Sequence, residues 1–231
     1  KSKLNSQFVS KLPKNIDLNH SSIIGCAVIS GYLPLIKNKN ITKNSKIAIY
    51  GMGGLGLLAV NAAKKIGLKD ICSIDINKKK LDFSKKFGSK YLVNYNDKIF
   101  EKKINNITKK KGFDFIYDFV GKKEIQENAI NNLKKCVPGY SRGGTLGIVG
   151  FHYDNLNISA RQILMSEITL QGLRGGSAIM KEDLEKIYKD IRNKKLKIDK
   201  IITETFNLRE INKAISKLKS GKILGRASVK I

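Results

Sequence analysis

Cysteine is scarce: Cys26, Cys72 and Cys136 are the three thiols of a 231-residue chain. They are too few and too scattered for a disulfide framework, which fits a reducing, cytoplasmic setting. Histidine occurs twice, as His20 and His152, and neither stands in a recognisable motif. Both are expected at the surface, without a metal or proton-transfer role. A membrane-length apolar run is also lacking. The uncharged stretch from Ile47 to Ala63 is short for a span and rich in glycine, so neither a transmembrane segment nor a membrane partner is expected. No apolar leader lies near the N-terminus. The chain opens on Lys1 instead of Met, as expected of a fragment or a processed product.

Acidic residues are outnumbered, 19 against 45 Lys and Arg, for a formal charge of +26. Such an excess suggests a polyanion partner, because Lys and Arg displace counterions from phosphate. Arginine, which makes forked contacts to phosphate and guanine, is the scarce member of the excess. Only Arg142, Arg161, Arg174, Arg192, Arg209 and Arg226 occur. The lysines are spread along the whole chain beside Asn and Ile, as in Lys37-Asn38-Lys39-Asn40. That pattern points to compositional drift, and no nucleic-acid partner is expected. With 41% apolar residues the chain is too hydrophobic to be disordered. Its length allows one large domain, or one domain and part of another.

From Lys46 onward short apolar runs alternate with helical spacing. Strands are expected at Lys46–Tyr50, Ile71–Asp75, Tyr91–Asn94, Phe113–Phe119, Thr145–Gly150 and Ile168–Leu170. Helices are expected at Gly54–Ile66, Lys78–Phe87, up to about Lys109, and Lys122–Lys134. This alternation predicts an α/β fold with a doubly wound parallel sheet. Before it, Gln7–Val9 has strand character, Lys11-Leu12-Pro13 follows, and Ser21–Ile36 predicts a buried helix. After it come a charged amphipathic helix at Met180–Arg192, a strand at Ile201–Phe206, a helix at Asn207–Lys219 and a strand at Leu224–Ile231.

The sharpest motif is Gly51-Met52-Gly53-Gly54-Leu55-Gly56, a G-x-G-x-x-G loop between an expected strand and an expected helix. Gly51 permits the tight turn, Gly53 lets backbone approach a pyrophosphate, and Gly56 lets the helix pack on the strand. The helix start then offers N–H groups to phosphate. Asp75 ends the second strand, 19 residues after Gly56. An acid there bonds the adenosine ribose and repels a 2′-phosphate, which favours NAD. Two features leave this open: Lys78, Lys79 and Lys80 follow at once, and Asp75 could instead cap the next helix.

With these motifs in place, the chain resembles the medium-chain zinc-containing alcohol dehydrogenases almost end to end. The matching segments are Lys11-Leu12-Pro13, Gly25-Cys26-Ala27-Val28-Ile29-Ser30-Gly31-Tyr32, the loop through Asn77, and Phe206-Asn207-Leu208 to Gly221-Lys222-Ile223-Leu224-Gly225-Arg226. The resemblance implies a Rossmann domain at 27–173, flanked by pieces of a GroES-like catalytic domain at 1–26 and 174–231. On that resemblance the rest of the domain, with its other zinc ligands, would lie outside this chain. It implies that Cys26 is a zinc ligand and that Ser30 lies beside the nicotinamide. Lys80 would reach the ribose, Val120, Val149 and Gly150 would line the nicotinamide site, and Arg226 would pair with the pyrophosphate. The implied reaction is NAD-linked oxidation of an alcohol to an aldehyde or ketone, in a dimer or tetramer joined through Ile168–Leu170. Without the family, Cys26 reads as a small buried hydrophobe. A zinc-free quinone or enoyl reductase and a non-catalytic NAD-binding module remain as alternatives.

Overall fold

The computed structural model describes residues 3, 5, 6 and 9–230. Six strands form one sheet: β1 (Ile47–Tyr50), β2 (Ile71–Asp75), β3 (Tyr91–Asn94), β4 (Phe115–Asp118), β5 (Thr145–Ile148) and β6 (Thr169–Gly172). Their order is β3-β2-β1-β4-β5-β6, and every neighbouring pair is parallel. This is the expected doubly wound sheet. Its order reverses between β1 and β4, which opens a crevice beyond the carboxyl ends of those strands.

Alternation along each strand divides the core into two layers. Ile47 and Ile49 of β1, with Phe115 and Tyr117 of β4, face a cluster that includes Leu57 and Val60. Those two belong to α3 (Gly54–Lys65). The intervening Ala48, Tyr50 and Ile116 face the opposite cluster, with Ile104 of α5 (Phe100–Thr108) and Ala129 of α6 (Lys123–Asn131). With both faces covered, β1 is buried at all four positions, as a central parallel strand must be.

The N-terminal helix is not continuous. α1 (Leu18–Ser21) is followed by a π-helical turn, Ile24–Val28, that runs into α2 (Ile29–Ile36). The wider turn buries Ile24, Ala27 and Val28 and leaves Gly25 and Cys26 exposed. Gln7 and Phe8 of the expected first strand lie outside the described residues, as does Ile231 of the last one. Val9 and Lys11–Pro13 form no strand, since no described strand lies alongside to pair with them. The helix α4 (Lys78–Ser84) closes in a 3-10 turn, Lys85–Phe87. α6 stops short of the expected Lys134, because Leu133 leaves it to bridge Phe113. A helix not expected from the sequence, α7 (Ala160–Ser166), leads into β6, with Ser159 Oγ accepting the Gln162 N–H at 3.1 Å.

Beyond the sheet, α8 (Met180–Arg192) precedes a second, two-stranded parallel sheet of β7 (Ile202–Asn207) and β8 (Arg226–Lys230). Between these strands lies α9 (Ile211–Lys219), whose Ile215 and Leu218 are exposed. No helix among the described residues is long and apolar enough to cross a membrane.

Two buried carboxylates of α8 hold it against α2 and α3. Asp183 accepts Lys37 Nζ at 2.7 Å and the Ile179 N–H at 2.8 Å. Asp190 accepts Tyr32 Oη at 3.1 Å and also pairs with Lys65, the last residue of α3. Burial pulls the Asp183 carboxyl upward, but Lys37, the Ile179 N–H and Lys186 outweigh it and hold it below the usual aspartate value. A depressed folded value stabilises the fold above the unfolded value, about pH 4, and that gain is lost as pH falls through the folded value. Replacing one member of a buried pair strands the other. Asp183→Ala is therefore expected to lower unfolding free energy by about 3 kcal/mol at pH 7, read from urea denaturation. The deficit relative to the parent should shrink as the pH is taken below 4.

Candidate functional site

The glycine loop joins β1 to α3 at the reversal point. Gly51 has φ +91°, and a Cβ there would lie 2.9 Å from Val120 Cγ2. Gly56 is the closest approach: a Cβ would sit 1.8 Å from the Gly51 carbonyl oxygen. Gly53 is the opposite case, with nothing within 4 Å of a Cβ. It is the N-cap of α3 and offers no side-chain cap. The leading N–H groups of the helix therefore face an open cradle, where the helix dipole favours an anion. The Leu55 carbonyl packs against Gly31, whose Cβ would lie 2.6 Å from it. This sets half-buried Ser30, the neighbour of Gly31 on α2, beside the loop helix.

Asp75 closes the loop from the β2 side. Its Oδ2 accepts the Met52 N–H at 2.7 Å, and its Oδ1 accepts the Asn77 N–H at 2.7 Å. The cap of α4 is Asn77, whose Oδ1 accepts the Lys79 and Lys80 N–H groups. The possibility that Asp75 caps that helix is thus excluded. A cavity of about 420 Å³ opens here, lined by Gly51, Asp75, Lys80, Tyr95, Val120 and Lys122 among others.

Arg226 reaches the same loop from the C-terminal sheet. A Cβ on Gly54 would lie 2.6 Å from Arg226 Cγ and 2.7 Å from its Nε. Arg226 Nε is buried and has no hydrogen-bond partner among the described residues. A buried donor of this kind carries a desolvation cost that an acceptor would relieve.

On the other side of the reversal point, the β4 and β5 exits are tied by a group that sequence reasoning missed. Asp118, fully buried at the end of β4, accepts the Val120 N–H at 2.8 Å, the Gly121 N–H, and Gln126 Nε2 at 2.8 Å. Its carbonyl accepts the N–H groups of Val149 and Gly150. Burial pushes the Asp118 carboxyl above the usual aspartate value, against the pull of these donors. Gln126 Oε1 in turn meets His152 Nε2 at 3.0 Å. His152 is not the surface residue expected, since its side chain is only 13% exposed. The one available sequence signal was an acid closing a strand three residues before a glycine, Asp118-Phe119-Val120-Gly121. His20 is half-buried and pairs with Asp17 at 3.1 Å.

Cys26 lies on the π-turn that leads into α2. It is exposed on the π-turn, contrary to the buried-hydrophobe reading. Cys72 is buried in β2, where burial pushes its thiol well up. Cys136 is half-buried, with Sγ 3.3 Å from the Met165 carbonyl. No group of three or more His, Cys, Asp or Glu side chains able to hold a metal occurs among the described residues. These residues alone do not fit a zinc site, whereas the glycine cradle, Arg226 Nε and the Asp75 cavity fit a dinucleotide.

Comparison with known proteins agrees with this geometry. The family model described as "Zinc-binding dehydrogenase" matches residues 54–191. "Alcohol dehydrogenase 6" of Rattus norvegicus is 30% identical over 223 residues, covering 94% of this chain and 57% of the relative. Its counterpart in Peromyscus maniculatus is 30% identical over 221 residues, covering 94% and 56%. The chain thus spans little more than half the length of these relatives. Among solved structures, benzyl alcohol dehydrogenase from Acinetobacter calcoaceticus superposes with a TM-score of 0.85 at 23% identity, covering 96% of this chain and 59% of that one. The alcohol dehydrogenase of Aeropyrum pernix gives 0.81 at 25%, covering 94% and 60%. The chain belongs to the medium-chain zinc-binding alcohol dehydrogenase family, to whose C-terminal part it corresponds.

Proposed function

We propose that this chain binds NAD(H) across the β1/β4 crevice and serves an alcohol dehydrogenase that interconverts an alcohol and its aldehyde or ketone. The observation that carries the reading is Arg226 Nε, a buried donor without a partner beside an open glycine cradle. Arg226 and the α3 N–H groups would hold the pyrophosphate. Asp75 and Lys80 would hold the adenosine ribose in the 420 Å³ cavity. The nicotinamide half would then lie over the β4 and β5 exits, at Val120, Val149 and Gly150, with Ser30 alongside. When bound, the coenzyme accepts or donates hydride. The chain's own work is to fix its position and to exclude the wrong dinucleotide.

Cys26, exposed on its π-turn, would contribute one thiolate to a zinc ion whose other ligands lie outside the described residues. One thiolate does not hold zinc, so no step is assigned to the metal here. The division at 1–26, 27–173 and 174–231 belongs to the same reading. So does a homo-oligomer, dimer or tetramer, joined through the β6 edge. Three of the four residues of β6 are exposed, and Leu164 and Met165 of the preceding helix are 74% and 65% exposed.

Binding of NADH, followed by its fluorescence, tests the reading in three ways. Arg226→Ala should weaken NADH about tenfold or more, the value of a hydrogen bond to a charged group. Gly53→Ala should leave the melting temperature almost unchanged, since its methyl meets nothing, yet weaken NADH by filling the cradle. Asp75→Ala should weaken NADH and narrow the gap to NADPH. Full retention of NADH preference by that variant would refute the ribose assignment.

A further inference from the structure

The hydrogen bonds around Asp118 admit one assignment only. The Asp154 N–H donates to His152 Nδ1 at 3.1 Å, so that ring nitrogen is an acceptor. In the neutral ring the proton therefore sits on Nε2, which donates to Gln126 Oε1 at 3.0 Å. The Gln126 amide is then turned with its Nε2 toward Asp118 Oδ2 at 2.8 Å and the Gly150 carbonyl at 3.3 Å. Asp118, an acceptor at both oxygens, receives the Val120 and Gly121 N–H groups from one side and Gln126 from the other. The groups facing His152 are Gln126, the Asp118 carboxylate behind it, and Asp154, whose Oδ2 lies 3.8 Å from Nδ1.

This relay joins two loops that touch nearly backbone to backbone. A Cβ on Gly150 would lie 2.2 Å from the Gly121 nitrogen, and one on Gly121 would lie 2.3 Å from the Phe151 nitrogen. Gly121 has φ +71°. Such a contact leaves no room for a side chain on either glycine. Val120 of the β4 exit lines the cavity that it shares with Asp75 and Lys80, whereas the β5 exit lies farther from β2, on the side of the second mononucleotide half.

We propose that Asp118, Gln126 and His152 form a positioning relay that fixes the β5 exit loop, through the Gln126 bond to the Gly150 carbonyl, in the shape that receives the nicotinamide half. It rests on the dinucleotide reading above and assigns the relay no contact with adenosine or phosphate. Removing the Gln126 or His152 link frees the Gly150 side, under the nicotinamide half, while the Val120 N–H keeps its bond to Asp118 on the adenosine side.

The test compares NADH with ADP-ribose, which has the same adenosine and both phosphates but no nicotinamide, by calorimetry on the full chain. Gln126→Leu should weaken NADH about tenfold and change ADP-ribose less than twofold. Gln126→Glu sets a second carboxylate against Asp118, so NADH should bind poorly at pH 8.5. Affinity should recover relative to the parent toward pH 6, as a carboxyl proton takes the place of the amide N–H. His152→Ala, at a partly open position, carries the same selective loss should Gln126→Leu fail to fold. His152→Gln should restore much of it by offering an amide donor to Gln126 Oε1. Equal loss of NADH and ADP-ribose in the folded variants would overturn the proposal, because the relay would then be general support. A parent chain that binds neither ligand would overturn the dinucleotide reading itself, and the relay with it.

Discussion

The contact on which the site depends is backbone against backbone: the start of α3 lies against the Gly51 carbonyl so closely that only glycine fits at position 56. A methyl group there would need the helix to move away from β1. The leading N–H groups of α3 would then leave the crevice, and Met52 would be drawn off Asp75. Arg226, which lies across Gly54, would lose the surface it packs on. One close approach therefore places the positive helix end, the Asp75 carboxylate and the buried guanidinium around a single opening.

A second constraint places the other elements relative to that opening. α8 follows the sheet in the chain, yet its two buried acids bind residues that precede β1 or end α3: Lys37, Tyr32 and Lys65. α2, with Ser30 near its start, is held between the loop helix and α8. On one side Gly31 touches Leu55. On the other, Gly176 packs so near the Ile29 carbonyl that a Cβ would lie 2.0 Å from it. Exposure of Cys26 follows from this packing. The buried side chains of the π-turn are Ile24, Ala27 and Val28, and the extra residue of the wider turn puts Gly25 and Cys26 on the outside.

The parallel sheet was legible because its strands are short, apolar and separated by helical spacing. Ile71–Asp75 and Tyr91–Asn94 have the expected bounds. The glycine loop was legible because Gly51 turns at φ +91° and Gly56 packs on the Gly51 carbonyl, both features local to the loop. What was not legible depends on contacts between segments remote in sequence. The π-turn looks like any helix of small and apolar residues until Gly31 meets Leu55. The cap of α4 could be Asp75 or Asn77, and the choice follows from Met52 claiming the Asp75 carboxylate. His152 has no local motif, and its environment comes from α6, 26 residues away. Asp118 carried a faint signal, but its donors come from its own exit loop, from α6 and, at its carbonyl, from the end of β5.

The proposed preference for NAD over a dinucleotide bearing a 2′-phosphate turns on mobility as much as on charge. Asp75 is flanked by lysines, and Lys80 and Lys122 line the same cavity, so formal charge alone would suit a 2′-phosphate. The carboxylate, however, is held by two backbone N–H groups at 2.7 Å and cannot swing aside. Lys122 is exposed and lies 3.8 Å from Glu124. A lysine head of that kind is hydrated, and ordering its long stem costs rotamer entropy that offsets most of an exposed ion pair. A fixed negative charge beside the proposed ribose site would therefore oppose a further phosphate over the whole time that site is occupied, whereas the mobile positive charges would favour it only when ordered. On that balance the carboxylate dominates, and the lysine-rich rim acts at longer range, drawing an anionic ligand toward the crevice without selecting which one binds.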